Sequence, residues 1–162
     1  MVVIMAACSP KSYLETGLPY KNTIYLSTDT SQTHAHVYQG GRQVLLNDTL
    51  TYYSYRADRI HATRGGLAGK PLHGLYTEQY ADGALKSQGT FYYGLRQGEW
   101  RYWRPDGSLR ETTTWKIGIQ TGRFYKYSEN GQLLQRGRLK SGRPVDPDSV
   151  WWKRLINKRR SR

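Results

Sequence analysis

The sequence predicts an all-β protein: an elongated, single-layer antiparallel sheet of stacked β-hairpins, each of about 24 residues, ending in a short basic C-terminal helix or tail. Three observations predict it. Asp82-Gly83, Asp106-Gly107 and Asn130-Gly131 stand 24 residues apart. Asn or Asp followed by Gly is the signature of a two-residue type I′ hairpin turn, because both central residues need positive φ. In GEWRYWR, Trp100, Tyr102 and Arg104 fall on one side and Glu99, Arg101 and Trp103 on the other, the two-residue period of a pleated strand. Finally, 14 Tyr and 5 Trp stand against 2 Phe, and mean hydropathy is -0.78. Apolar area therefore comes from amphipathic rings, which suit half-exposed sheet faces better than a thick core.

At 162 residues the chain has the size of one domain or of a short repeat array with tails. It opens on MVVIMAAC, residues 1–8, which resembles the end of a bacterial lipoprotein signal, where small residues precede the cysteine that is cleaved and acylated. Cys8 is then the lipidation candidate and the mature N-terminus. Seven residues without a basic start are fewer than a working signal uses, so the resemblance implies a start further upstream. The plainer reading is a short apolar N-terminus with a free buried thiol. With one cysteine, no internal disulfide framework and no cysteine-based zinc site is available. Residues 9–22, with Pro10, Gly17 and Pro19, read as a tether. Residues 23–49 hold three short strand signals, TIYLS (23–27), HVY (36–38) and RQVLL (42–46), expected to extend the sheet.

The array follows over residues 50–144, as a degenerate or capping unit (50–73) and three full ones (74–97, 98–121, 122–144). Gly74, Gly98 and Gly122 open the full units, and Tyr76, Trp100 and Phe124 follow two residues later. Leu85, Leu109 and Leu133 come two after each turn glycine; Phe91, Trp115 and Leu139 form a further column, and Gly94, Gly118 and Gly142 the last. In the degenerate copy Tyr52, Asp58 and Gly65 keep the register, but Leu50 and Arg59 replace glycines. A lone hairpin is marginal in water, so units must pair edge to edge to bury their rings. Tyr76, Trp100 and Phe124 then form a ladder along one face.

These residues carry a resemblance. YYGLRQGEWRYWRPDGSL, Tyr92 to Leu109, resembles the MORN repeat in its bacterial variant, with a Tyr-x-Gly step, a Gly-x-Trp step and an aromatic-x-x-Asp/Asn-Gly-x-Leu step. WKIGIQTGRFYKYSENGQLL, Trp115 to Leu134, fits nearly as well. The likeness covers about residues 67 to 142 and the degenerate copy before them. It implies a scaffold or a protein-binding or membrane-associating module, and many bacterial members carry an antitoxin-like label.

Catalytic chemistry is not apparent, and no catalytic residue, metal or cofactor is expected. GGLAGKP, 65–71, would need glycine at Arg64 and a hydroxyl at Pro71 to be a phosphate loop. His34 and His36 share a strand side without a third ligand nearby, and read as exposed strand histidines. Glu78 and Glu99 read as solvated or paired carboxylates.

The tail, residues 145–162, is more informative. DPDS caps a short helix that places Trp151, Trp152, Leu155 and Ile156 on one side and Lys153, Arg154 and Lys158 on the other, with Arg159 and Arg160 beyond. Trp151, Trp152, Lys153, Arg154, Lys158, Arg159 and Arg160 are the membrane-surface candidates, since such a helix suits an anionic bilayer. Alternatively the tryptophans cap the open end of the ribbon while the cations stay solvated. A net charge of +13 favours anionic partners, and nucleic acid is the less favoured one because no base-reading fold accompanies the tail.

The expectation is a non-enzymatic, membrane-associated interaction or scaffold module, lipid-anchored at the bacterial cell envelope, whose partner is an unidentified protein. Trp103, Tyr125 and Tyr127, on the face opposite the ladder, are the protein-binding candidates, and open sheet edges would allow pairing into homo-oligomers. The alternative is a cytoplasmic, antitoxin-like partner of a toxin protein or nucleic acid.

Overall fold

The structure, a computed structural model, describes residues 22–40 and 44–145. Cys8, most of the tether, and the tail with Trp151, Trp152, Lys153, Arg154, Lys158, Arg159 and Arg160 lie outside the described residues. Every regular element among the described residues is a strand: β1 (Asn22–Ser27), β2 (Ser31–Val37), β3 (Thr51–Arg56), β4 (Arg59–Arg64), β5 (Lys70–Tyr80), β6 (Leu85–Tyr92), β7 (Leu95–Trp103), β8 (Leu109–Lys116), β9 (Ile119–Tyr127), β10 (Leu133–Lys140) and β11 (Arg143–Pro144).

They form one open antiparallel sheet in the order β1-β2-β5-β6-β7-β8-β9-β10-β11. The three full units are the hairpins β5–β6, β7–β8 and β9–β10, stacked in sequence by β6–β7 and β8–β9 pairing. The place before β5 is held by the β1–β2 hairpin, through Ala35 opposite Tyr76 and Thr33 opposite Glu78. The hairpin of the degenerate unit, β3–β4, leaves this row. It holds to β5 only through Ser54 opposite Pro71 and Tyr55 opposite Lys70, and Tyr53, Tyr55 and Ile60 pack against the core cluster of Ala35, Val37, Leu72, Phe91 and Trp100. The core therefore lies between the first part of the sheet and this hairpin, and the third repeat is less covered.

Two expectations are corrected. Val44 to Leu46 of RQVLL form no strand: Leu45 is 96% exposed, and the local backbone is held otherwise, with the Asn47 N–H donating to the Tyr52 hydroxyl at 2.9 Å and Thr49 N–H to Asn47 Oδ1 at 2.9 Å.

The turns are corrected too. At Asp82-Gly83 the loop has three residues: Gly83 N–H donates to Tyr80 O at 2.9 Å, Tyr80 N–H donates to Ala84 O at 2.8 Å, and only the glycine has positive φ. Bonds in the same positions close Arg104–Ser108 and Ser128–Gln132. This is a type I turn ending in a left-handed glycine. The aspartate serves there as an acceptor, Ala84 N–H to Asp82 Oδ1 at 3.0 Å and Ser108 N–H to Asp106 Oδ1 at 2.8 Å, and hydrogen-bonding its own turn is what short acidic side chains do.

Two-residue turns with positive φ at both positions occur at the other end of the repeat, at Tyr93-Gly94, Ile117-Gly118 and Ser141-Gly142, and also at Ala57-Asp58 in the β3–β4 hairpin. The first strand of the hairpin that each turn leaves stabilises the three glycine-containing ones. Gly94, Gly118 and Gly142 donate to the carbonyls of Leu72, Arg96 and Gln120 at 2.7, 2.9 and 2.9 Å. Tyr93 N–H reaches His73 Nδ1 at 3.2 Å and, 24 residues later, Ile117 N–H reaches Gln97 Oε1 at 2.8 Å.

Candidate functional site

Alternation and register put Tyr76, Phe91, Trp100, Tyr102 and Phe124 on one face. The Tyr76–Trp100 step of the expected ladder is present, ring centres 5.5 Å apart, and Phe91 joins it edge-on to both, at 5.4 and 4.9 Å. Such pairs add about 0.5–1.5 kcal/mol each beyond the area they bury. Trp100, 1% exposed, lies over Gly89; a Cβ there would come 2.2 Å from its Cδ2.

The β3–β4 hairpin covers part of this face. Between Tyr53 and Ile60 of the hairpin and Tyr76, Tyr80, Trp100 and Tyr102 of the sheet opens a cleft of about 190 Å³. That is far above the ~10–15 Å³ needed to admit a single water and is on the scale of one large side chain.

Three cations meet these rings. Arg96 is packed among Tyr53, Trp100 and Trp115, its guanidinium carbon 5.0, 4.8 and 5.1 Å from their centres, and its Nη1 donates to the Tyr102 hydroxyl at 3.2 Å. Lys86 lies 5.7 Å from the Tyr80 ring centre and Arg110 lies 5.8 Å from that of Tyr102. Both reach this face because they are the extra residues of bulges: Glu78 and Gln79 face Ser87 and Leu85, and Tyr102 and Trp103 face Glu111 and Leu109, which leaves Lys86 and Arg110 over. A bulge re-aims a side chain that strict alternation would send to the other face. Leu134, 24 residues after Arg110, is the extra residue of the third repeat.

The cleft holds one carboxylate. Glu78 receives Lys86 Nζ at 2.8 Å, Ser87 Oγ at 3.0 Å and the Tyr76 hydroxyl at 3.4 Å. Burial, with Glu78 nearby, raises the Tyr76 phenol far above its ordinary pKa. The Tyr102 phenol is raised by burial against the opposing pull of Arg96. Both stay protonated at neutral pH, so neither serves as a base. Glu99 is also paired, with Arg101 Nη2 at 2.7 Å on the surface.

Of the binding candidates, Trp103 contributes to the cleft lining, and its carbonyl receives the Tyr80 hydroxyl at 3.0 Å. Tyr125 alternates with Phe124 and so lies on the opposite face, between Thr112 and Arg136. Tyr127 follows it at the end of β9, and all three residues are half-buried. His34 and His36 are half-buried, 5.4 Å apart between ring centres, with Tyr25 stacked on His34. No three of His, Cys, Asp and Glu gather into a metal-holding group among the described residues. Sequence reasoning missed Lys86, Arg96 and Arg110; strict alternation hides the two bulge residues Lys86 and Arg110, whereas Arg96 pairs with Phe91 and shares the face of Trp100 by alternation.

A family model described as MORN repeat variant matches residues 72–91, 96–116 and 120–140. The matches fall one on each of the hairpins β5–β6, β7–β8 and β9–β10. Repeats of this type commonly mediate protein or membrane interactions and are typically non-catalytic. No curated protein and no solved structure matches the chain.

Proposed function

We propose that this chain is a non-enzymatic interaction module that holds a partner protein at the bacterial cell envelope. The observation that carries the reading is the cleft beneath the β3–β4 hairpin: concave, ring-lined, and of side-chain size. Pockets lined by rings with a few placed polar groups are where ligands are held. Its one carboxylate is engaged by Lys86, Ser87 and Tyr76, an arrangement suited to holding shape and not to moving protons. Tyr125 and Tyr127 offer a second contact surface. An acylated Cys8 and the basic, Trp-rich tail from Trp151 to Arg160 would supply the membrane attachment.

Two measurements test the reading. A photo-reactive residue replacing Ile60 at the cleft wall, or Tyr125 on the other face, should cross-link one discrete protein in native cells, and the adduct should disappear when the native chain is overexpressed as competitor. Absence of any competed adduct at both positions sinks the interaction reading. Mass spectrometry of the protein from native membranes should show a lipid-modified Cys8; an unmodified chain recovered from the soluble fraction sinks the envelope placement and leaves the interaction reading standing.

A further inference from the structure

We propose that the cleft receives a carboxylate side chain from an acidic segment of the partner protein, gripped between Lys86 and Arg110. The inference rests on the protein-interaction reading and specifies its chemistry.

Charge sets the ligand's sign. Lys86, Arg96 and Arg110 face the cleft against the single carboxylate of Glu78, and that carboxylate is occupied by three donors. Arg96 and Arg110 pair with no carboxylate among the described residues. The cleft therefore has donors in excess, and an occupant must bring acceptors and negative charge.

The bulges set the location. Two cations 24 residues apart in sequence are themselves the inserted residues of β6 and β8, and each bulge turns its cation onto the ring face. Bulges that re-aim side chains recur beside functional sites. Arg110 is exposed and lines the cleft, its guanidinium carbon 5.8 Å from the Tyr102 ring centre. A guanidinium in that state matches a carboxylate in a bidentate pair.

Shape and lining select the class. A flat bilayer cannot follow the step made by Tyr53 and Ile60 over the sheet, and a free phosphate has no apolar stem to cover Tyr80 and Tyr102. An aspartate or glutamate beside an apolar residue in an extended segment satisfies both demands and fits about 190 Å³.

The test is selection of a random decapeptide display library against the full chain. Enriched peptides should share an acidic residue next to an apolar one. For the best binder, synthesised free, exchanging that acid for its amide, or Arg110→Ala in the protein, should weaken binding by about tenfold or more, the loss of one charge-assisted pair. Arg136→Ala and Arg138→Ala, exposed cations away from the cleft, should stay within about twofold of the parent. Arg110 is a surface residue, so its variant should keep the parent's melting curve, and Lys86→Ala provides a second reading of the same grip. Peptides without an acid, equal losses at Arg110 and Arg136, or inorganic phosphate or vesicles rich in phosphatidylglycerol binding through Arg110 more tightly than the peptide would each overturn the assignment while leaving the interaction reading intact. If the library yields nothing and neither photo-reactive position gives an adduct, both fall.

Discussion

Arg104 donates from its Nη2 to the carbonyl oxygen of Tyr127 in the next repeat, and 24 residues earlier the Tyr80 hydroxyl makes the same bond to Trp103 O at 3.0 Å. One position in the repeat thus acts as a tie between units, filled by two different side chains. Arg104 adds Ser108 Oγ, Leu109 O and Ser128 O at 3.2 to 3.3 Å. Bonds from a charged donor contribute about 1.5–3 kcal/mol and neutral ones about 1. Arg104→Ala should therefore lower unfolding free energy by about 2 kcal/mol and Tyr80→Phe by about 1, measured by denaturant titration. Amide exchange should quicken in β9–β10 for the first variant and leave β5–β6 protected.

Ile117 occupies φ 48° in a type I′ turn, a region that L residues enter at a cost of roughly 1–2 kcal/mol and β-branched ones rarely. Its side chain is 48% exposed, so little packing is lost on replacement. Ile117→Asn should raise stability by about 1 kcal/mol in the same titration; a fall would show that the isoleucine is held by contacts outside the turn.

Gly89 and Gly83 separate packing from backbone strain. Gly89→Ala sets a methyl 2.2 Å from the Trp100 ring and should cost about 3 kcal/mol, at the upper end of overpacking penalties. Gly83→Ala meets nothing within 4 Å but keeps φ at 88°, and should cost only about 1 kcal/mol. Quenching of tryptophan fluorescence at the start of the melt should change in the first variant alone.

His73 gives the protein an acid limit. It is buried, accepts the Tyr93 N–H on Nδ1, and burial lowers its pKa below the usual 6.5. The unfolded chain then binds a proton more readily than the folded one, so stability is fully present above about 6.5 and is lost as pH falls toward and through the folded value. His36, lowered first by burial and then by His34, acts in the same direction. Unfolding free energy should fall between pH 7 and 5 by up to about 1.4 kcal/mol per pH unit through His73, the more exposed and better screened His36 adding less. His73→Gln, the residue that makes this contact one repeat later, should flatten the slope while keeping the fold. An unchanged slope would place the acid sensitivity elsewhere.

The strand order of the full repeats could be read from the 24-residue register because edge pairing is the main way such hairpins bury their rings. Turn types were less legible. Asp-Gly signals two conformations, and the discriminating residue was Pro105, whose fixed φ suits the first central position of a type I turn. Nothing in Tyr93 or Ile117 favours positive φ; the bonds from Gly94 and Gly118 back to the carbonyls of Leu72 on β5 and Arg96 on β7 impose it. The cleft was hidden for two reasons. The register of 50–73 places its hairpin in the row, whereas β2 holds that place and β3–β4 rests on the ring face. Lys86 and Arg110, by simple alternation, belong to the other face, and only the bulges bring them round.

The β3–β4 hairpin shelters only the beginning of the array, while β10 shares a ladder on its outer side with just the two residues of β11. Length and recognition are thereby separate properties of this molecule. Copies of the 24-residue unit added or removed at the far end would change how far the protein spans without altering the seat beneath the hairpin. Evolution could thus adjust how far the sheet extends from that seat in steps of roughly 10 Å, two strand spacings at a time, as a ruler is cut without redrawing its zero.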